Sequence, residues 1–93
     1  MDAVRFRGEI RYWRPERAAG PAVADIPANL VSTLGGLKQL RVHGQINAVA
    51  FVSSTMPAGG GRLALSVSKA MMTAAGVRVG ESAEIEISTV GRD

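Results

Sequence analysis

The chain runs twice through the same short order of elements: a strand end, a helix of about two turns, a glycine that stops it, an apolar residue and a new strand. Displaced by 41 positions, Ile26 falls on Val67, Leu30 on Met71, Ser32 on Thr73 and Gly35 on Gly76; displaced by 43, Val42 falls on Ile85. The bland alternative is a chance likeness between two short connections. Read as a repeat, it divides one domain over residues 1–93 into units at about 4–46 and 47–90.

The strands are written in period two. Val4, Phe6, Ile10 and Tyr12 alternate with Arg5, Arg7, Glu9 and Arg11, which predicts a half-buried strand with Gly8 in an inward slot as a bend or bulge. Residues 14–25, with two prolines, a glycine and charges, read as a loop or extended connection. A first short helix follows, with Pro27 in its first turn, Leu30, Val31 and Leu34 on one face, and Gly35 or Gly36 as a left-handed stop. Residues 38–46 alternate again, and 49–54 form a further strand. Asn47-Ala48 between them is either a tight turn or a bend in one long strand. Residues 56–61 read as a flexible loop and 63–67 as a strand. A second short helix over 68–75 is stopped by Gly76, and a last strand carries Ala83, Ile85 and Ile87 inward and Glu84, Glu86 and Ser88 outward.

Composition narrows the chemistry. With aromatics at 4%, the core must be filled by Val, Ile, Leu, Ala and Met, and 11 glycines suit a turn-rich β domain. No cysteine is present, which excludes disulfides, thiolate metal sites and cysteine nucleophiles, and favours a cytoplasmic setting. The charged, alternating N-terminus has no signal-peptide apolar region, and no apolar run approaches the roughly 18–20 residues of a membrane span. Net charge is +3, and all of the 11 basic residues but Lys38 and Lys69 are arginine. That balance permits phosphate contact without demanding it.

Residues 65–85, LSVSKAMMTAAGVRVGESAEI, resemble the AbrB-type swapped-hairpin pattern of strand, Val-Pro-Lys, short helix, Leu-Gly, Gly-Asp turn and strand. Ser68 stands for its proline and Glu81 for its aspartate, while Ile26-Pro27 keeps the proline in the first unit. The whole chain resembles the domain of unknown function 1905 family. That likeness is carried by Phe6-Arg7-Gly8-Glu9-Ile10, Trp13, the Ile26-Pro27 helix, RVHGQIN at 41–47, Phe51, the glycine-rich loop, and Val67-Ser68-Lys69 through Gly76 to Gly80-Glu81. Ala48 and Ala50 depart from the family's glycine and proline. The resemblance implies a mainly β fold: a small closed or split β-barrel of about six strands with two short helices, related to the AbrB-like double-split barrel. It implies no established activity.

Catalytic constellations are absent from the pattern. His43 is the only histidine, outward on a strand beside Arg41 and Gln45 with no acidic orienter, and it reads as a solvated surface group. One histidine and no cysteine leave no zinc ligand set, so neither a metal nor another cofactor is expected. Glu84 and Glu86 share a strand face and pair naturally with arginines across the sheet. Gly59-Gly60-Gly61-Arg62 precedes a strand, so it reads as a hairpin loop and not as a phosphate cradle, which must open a helix.

Two surfaces remain. Arg5, Arg7 and Arg11 line one face of the first strand, with Arg14 and Arg17 in the loop after it and Trp13 among them. This strip could hold nucleic acid by phosphate contact and stacking, although Glu9 and Glu16 interrupt it and pairing with Glu84 and Glu86 is the ordinary reading. Lys69 begins a helix, where the dipole disfavours a cation, which hints at a local partner such as a carboxylate ligand. The expectation is a non-catalytic binding or interaction module for a small molecule or protein, with Trp13, Arg41, His43, Asn47 and Lys69 as candidate ligand contacts. Nucleic-acid binding through Arg5, Arg7, Arg11, Arg14 and Arg17 is the second reading, and a small enzyme the third. A monomer or weak homodimer, away from membranes, is expected.

Overall fold

The computed structural model describes residues 3–14 and 20–90. Its elements are β1 (Val4–Tyr12), β2 (Ala22–Ile26), a 3-10 turn (Ala28–Leu30), β3 (Arg41–Ile46), β4 (Val49–Gly59), β5 (Arg62–Val67), one helix α1 (Lys69–Ala75) and β6 (Ser82–Thr89). The strands close a barrel in the order β1-β2-β5-β4-β3-β6, and every neighbouring pair is antiparallel. Exchanging β1 with β4, β2 with β5 and β3 with β6 leaves every neighbour relation of this ring unchanged. The ladders agree with the repeat read from the sequence. Ala22 to Ile26 face Val67 to Leu63, and Val42 to Ile46 face Thr89 to Ile85, so displacements of 41 and 43 carry each ladder onto itself.

The inward side of the period-two pattern fills the barrel. Ile10, Val42, Ile46, Leu63, Leu65, Ile85 and Ile87 are all essentially inaccessible to water. Each contributes about 1.5–3 kcal/mol by leaving water. Phe6 lies over Gly8, whose missing side chain makes the room: a Cβ there would stand 3.0 Å from the Phe6 ring. At Gly44 the approach is closer still. A Cβ would fall 1.8 Å from the Glu86 carbonyl oxygen, so β3 and β6 can lie together at this point only without a side chain.

Four sequence expectations are corrected or completed. Residues 22–25, read within a loop or extended connection, and Ile26, read with the short helix, form β2. This strand is buried on both faces, so its small apolar residues Ala22, Val23 and Ala24 show no alternation. The first short helix is not an α-helix but a 3-10 turn followed by turns up to Gly35, and among the described residues only α1 is α-helical. Residues 56–61 are not a flexible loop. β4 continues to Gly59 through a bulge at Pro57 to Gly59, where proline's missing N–H is tolerated. The turn is Gly60-Gly61 alone, with φ of 60° and 77°. Asn47-Ala48 is a tight two-residue turn with φ of 49° and 69°, the twist that suits an antiparallel hairpin.

The long segment between the 3-10 turn and β3 is fastened by one buried hydroxyl. Thr55 in β4 is fully buried; its Oγ1 donates to Lys38 O at 2.9 Å and accepts from Leu40 N–H at 3.2 Å. Its backbone N–H also donates to Leu40 O. Buried Leu34 anchors the same segment in the core.

Candidate functional site

Helix α1 is short, and its ends explain why it forms. Ser68 accepts the Met71 N–H on its hydroxyl at 3.1 Å while its own N–H points at Met71 Sδ, so two N-terminal amides are satisfied reciprocally. At the other end Gly76 takes a left-handed conformation, with its N–H on Thr73 O and the Val77 N–H on Met72 O. Met71 turns into the core, and Met72 lies half-buried beside it.

A two-lobed groove runs along this helix at the barrel rim. The larger lobe, about 580 Å³, is lined by Lys69, Met72, Thr73, Val77 and Arg78 among others. The smaller, about 490 Å³, is lined by Pro21, Ala22, Ser66, Val67 and Ser68 among others. Tyr12, Lys69, Met72 and Val79 belong to both lobes and form the waist between them. Met72, Val77 and Val79 give the groove apolar ground among polar neighbours such as Thr73 and Ser66, and the charged residues that line it, Lys69 and Arg78, are both positive. Among the described residues neither Lys69 nor Arg78 makes an ion pair, although the Arg78 backbone N–H bonds Glu81 Oε1.

The arginine face is electrostatically different. Arg5 Nε meets Glu86 Oε1 at 3.2 Å and Arg7 pairs with Glu84, both between β1 and β6 in the register that places them opposite. Arg11 grips Asp25 with two bonds, Nε to Oδ2 at 2.7 Å and Nη2 to Oδ1 at 2.9 Å. The fork holds the Asp25 carboxyl below its ordinary range, chiefly through these hydrogen bonds, against the opposing pull of burial. The same bonds raise Arg11. Arg14 is exposed, and Arg17 lies outside the described residues.

The residues singled out as ligand contacts are dispersed. Lys69 alone of the five lines the groove. Trp13 is half-buried just past the end of β1, its backbone N–H donating to Pro21 O at 2.8 Å. Arg41 and His43 are exposed on β3, with Val52 and Ser88 flanking His43 across the sheet. Asn47 works inside the fold: Nδ2 donates to Ala75 O and Oδ1 accepts from the Glu84 N–H, tying the β3–β4 turn to the end of α1 and to β6. Tyr12, Met72, Arg78 and Val79 were missed. Alternation puts Tyr12 with the inward residues of the first strand, and Val77-Arg78-Val79 lies between the helix stop and the last strand with no periodic pattern of its own. The signal available was the cation between two valines directly after the helix. Among the described residues no group of three histidines or carboxylates could hold a metal, and no helix is long and apolar enough to cross a membrane.

The family model for the domain of unknown function 1905 (DUF1905) matches residues 6–87. The chain belongs to the DUF1905 family. The DUF1905 match begins at Phe6 in β1 and ends at Ile87 in β6, so it takes in part or all of every barrel strand, α1 and both lobes of the groove. No curated protein matches the chain.

Proposed function

We propose that this DUF1905 chain is a non-catalytic binding module whose ligand site is the groove along α1. One observation carries the reading: the barrel's outward arginines on β1 are matched to carboxylates, whereas Lys69 and Arg78 line the groove beside apolar ground without counter-ions among the described residues. Surface charges over apolar ground are costly to leave unmatched when water is displaced, so a ligand supplies the match. The groove is of the size that holds small molecules, and it lies outside a barrel interior packed with Ile, Leu and Val. Closure of the barrel leaves no open strand edge, which favours a monomer. A cysteine-free chain suits the reducing cytoplasm.

The test is a metabolite screen by thermal shift, with hits located by amide NMR shifts. A ligand at about 100 times its dissociation constant adds about 2.7 kcal/mol of stability. Shifts are expected at Met72, Val77 and Val79, and Thr73→Trp, which fills the larger lobe from an exposed position, should abolish them. Shifts confined to β1 and β6, or binding that survives Thr73→Trp unchanged, would sink the assignment. A DNA duplex belongs in the same screen. Salt-sensitive binding mapped to Arg5, Arg7 and Arg14 would replace this reading with the nucleic-acid one.

A further inference from the structure

Resting on the groove as the ligand site, we infer that its ligand is an elongated amphiphilic carboxylate. The anionic end lies in the larger lobe against Lys69 and Arg78, and the apolar body passes over Met72 and Val79, beside Tyr12, into the smaller lobe. Three features lead there. First, the cations are unevenly shared: Lys69 lines both lobes and Arg78 the larger one alone, so the larger lobe has two and the smaller one has one. Charge is therefore asymmetric along the groove, and a ligand matched to it carries its charge at one end. Second, the waist is built from adaptable apolar surface. Met72 is unbranched and polarizable, so it can settle against chains of differing shape. Tyr12, whose side chain carries both an aromatic ring and a hydroxyl, lines both lobes at the same place. Third, the far lobe is lined by Pro21, Ala22 and Val67 with small hydroxyls at Ser66 and Ser68, which gives an apolar body somewhere to go without burying a second charge.

Neither cation is consumed by the fold. Both are exposed, and the Arg78 contact to Glu81 is made by the backbone amide, so changing the side chains leaves that contact in place. A carboxylate between a guanidinium and an ammonium gains charge-assisted hydrogen bonds of the strong kind. The apolar body adds affinity in proportion to the area it removes from water.

The experiment uses the full chain with methyl-labelled methionine and three probes: octanoate, 1-octanol and acetate. Octanoate should move the Met72 methyl signal saturably. Octanol, which has the body without the charge, and acetate, which has the charge without the body, should bind much more weakly. Replacing both cations (Lys69→Gln with Arg78→Gln) should weaken octanoate about tenfold and leave octanol unchanged. Octanol binding as tightly as octanoate, or a double variant that binds octanoate like the native chain, overturns the ligand class and leaves the groove standing. Failure of octanoate to move Met72 also overturns it. The proposed function itself falls only if the wider metabolite screen leaves the groove untouched as well.

Discussion

The two connections that bridge β2 to β3 and β5 to β6 occupy equivalent places in the ring, and they end alike but begin differently. At the stop, the Gly35 N–H bonds Ser32 O and the Gly36 N–H bonds Val31 O. This is the same pair of closures that Gly76 and Val77 make to Thr73 and Met72, displaced by 41. At the start, Pro27 faces Ser68 under the same displacement. Ser68 caps α1 with its hydroxyl, whereas Pro27 makes no side-chain cap and the chain tightens into a 3-10 turn. Starting a helix costs more than extending one, so on a run this short the cap decides the outcome. The uncapped connection is held from outside instead, by Thr55 reaching across from β4. The capped one presents Lys69 at the groove.

The largest effect should come where the halves touch. Gly44 and Ile87 pair at the centre of the β3–β6 ladder, a place each exchanges with the other under the barrel's symmetry. Gly44→Ala drives a methyl into the Glu86 carbonyl, and chemical denaturation should register a loss above about 4 kcal/mol or no cooperative transition. A normally stable variant would show that the halves can separate there.

Next come the two ways of holding a connection. Thr55→Val leaves Lys38 O and the Leu40 N–H without their buried partner and should cost about 2 kcal/mol. Ser68→Ala should cost about 1 kcal/mol. Equal losses in urea titrations would erase the distinction between external and local fastening. The shared stop can be probed in the same way. Gly76 sits in the left-handed region with open space around it, so Gly76→Ala should cost about 1 kcal/mol. Gly35 has φ of 103° and a Cβ there would meet Leu40 at 3.2 Å, so Gly35→Ala should cost about 2 kcal/mol. The reverse order would mean that the first stop relaxes more easily than its geometry allows.

The smallest effect is electrostatic and belongs to one half. Arg11 and Asp25 clamp β1 to β2, while the equivalent pair β4 and β5 is clamped by Ser53 Oγ donating to Ser66 O, and Ser66 is the counterpart of Asp25. Asp25 is held below its ordinary value, so its contribution is fully present above about pH 4 and is lost as pH falls through the lowered folded value. With side chains 29% and 42% exposed, screening keeps this under about 1 kcal/mol. Asp25→Asn should flatten that part of the stability–pH curve, and a Ser66→Ala control should leave its shape unchanged.

Strands β1, β3 and β6 were legible because each buries one face, and alternation reports that directly. The Arg5–Glu86 and Arg7–Glu84 pairs were legible too, because charges of opposite sign on two half-buried strands must share an outer face. Strand β2 was not, because burial on both faces erases the period and its flanking prolines and glycine read as loop. Asn47 drew notice as a polar residue in a family-like segment. Its use, holding Ala75 O and the Glu84 N–H, depends on where α1 and β6 end up. The groove was hidden for the same reason. Lys69 could be picked out by its conflict with the helix dipole, but Tyr12 reaches it only when the end of β1 docks beside α1.

What the sequence determined by itself was local and periodic: inward and outward faces, the stops at Gly35 or Gly36 and at Gly76, and a unit used twice. Those depend on neighbours within a few residues, and the physics of alternation and capping acts over that range. Tertiary structure alone decided the order of the ring, the two-sided burial of β2 and the gathering of Tyr12, Lys69, Met72 and Arg78 around one groove. Each of these is set by contacts between segments far apart in the chain, whose pairing becomes favourable only when the whole barrel closes.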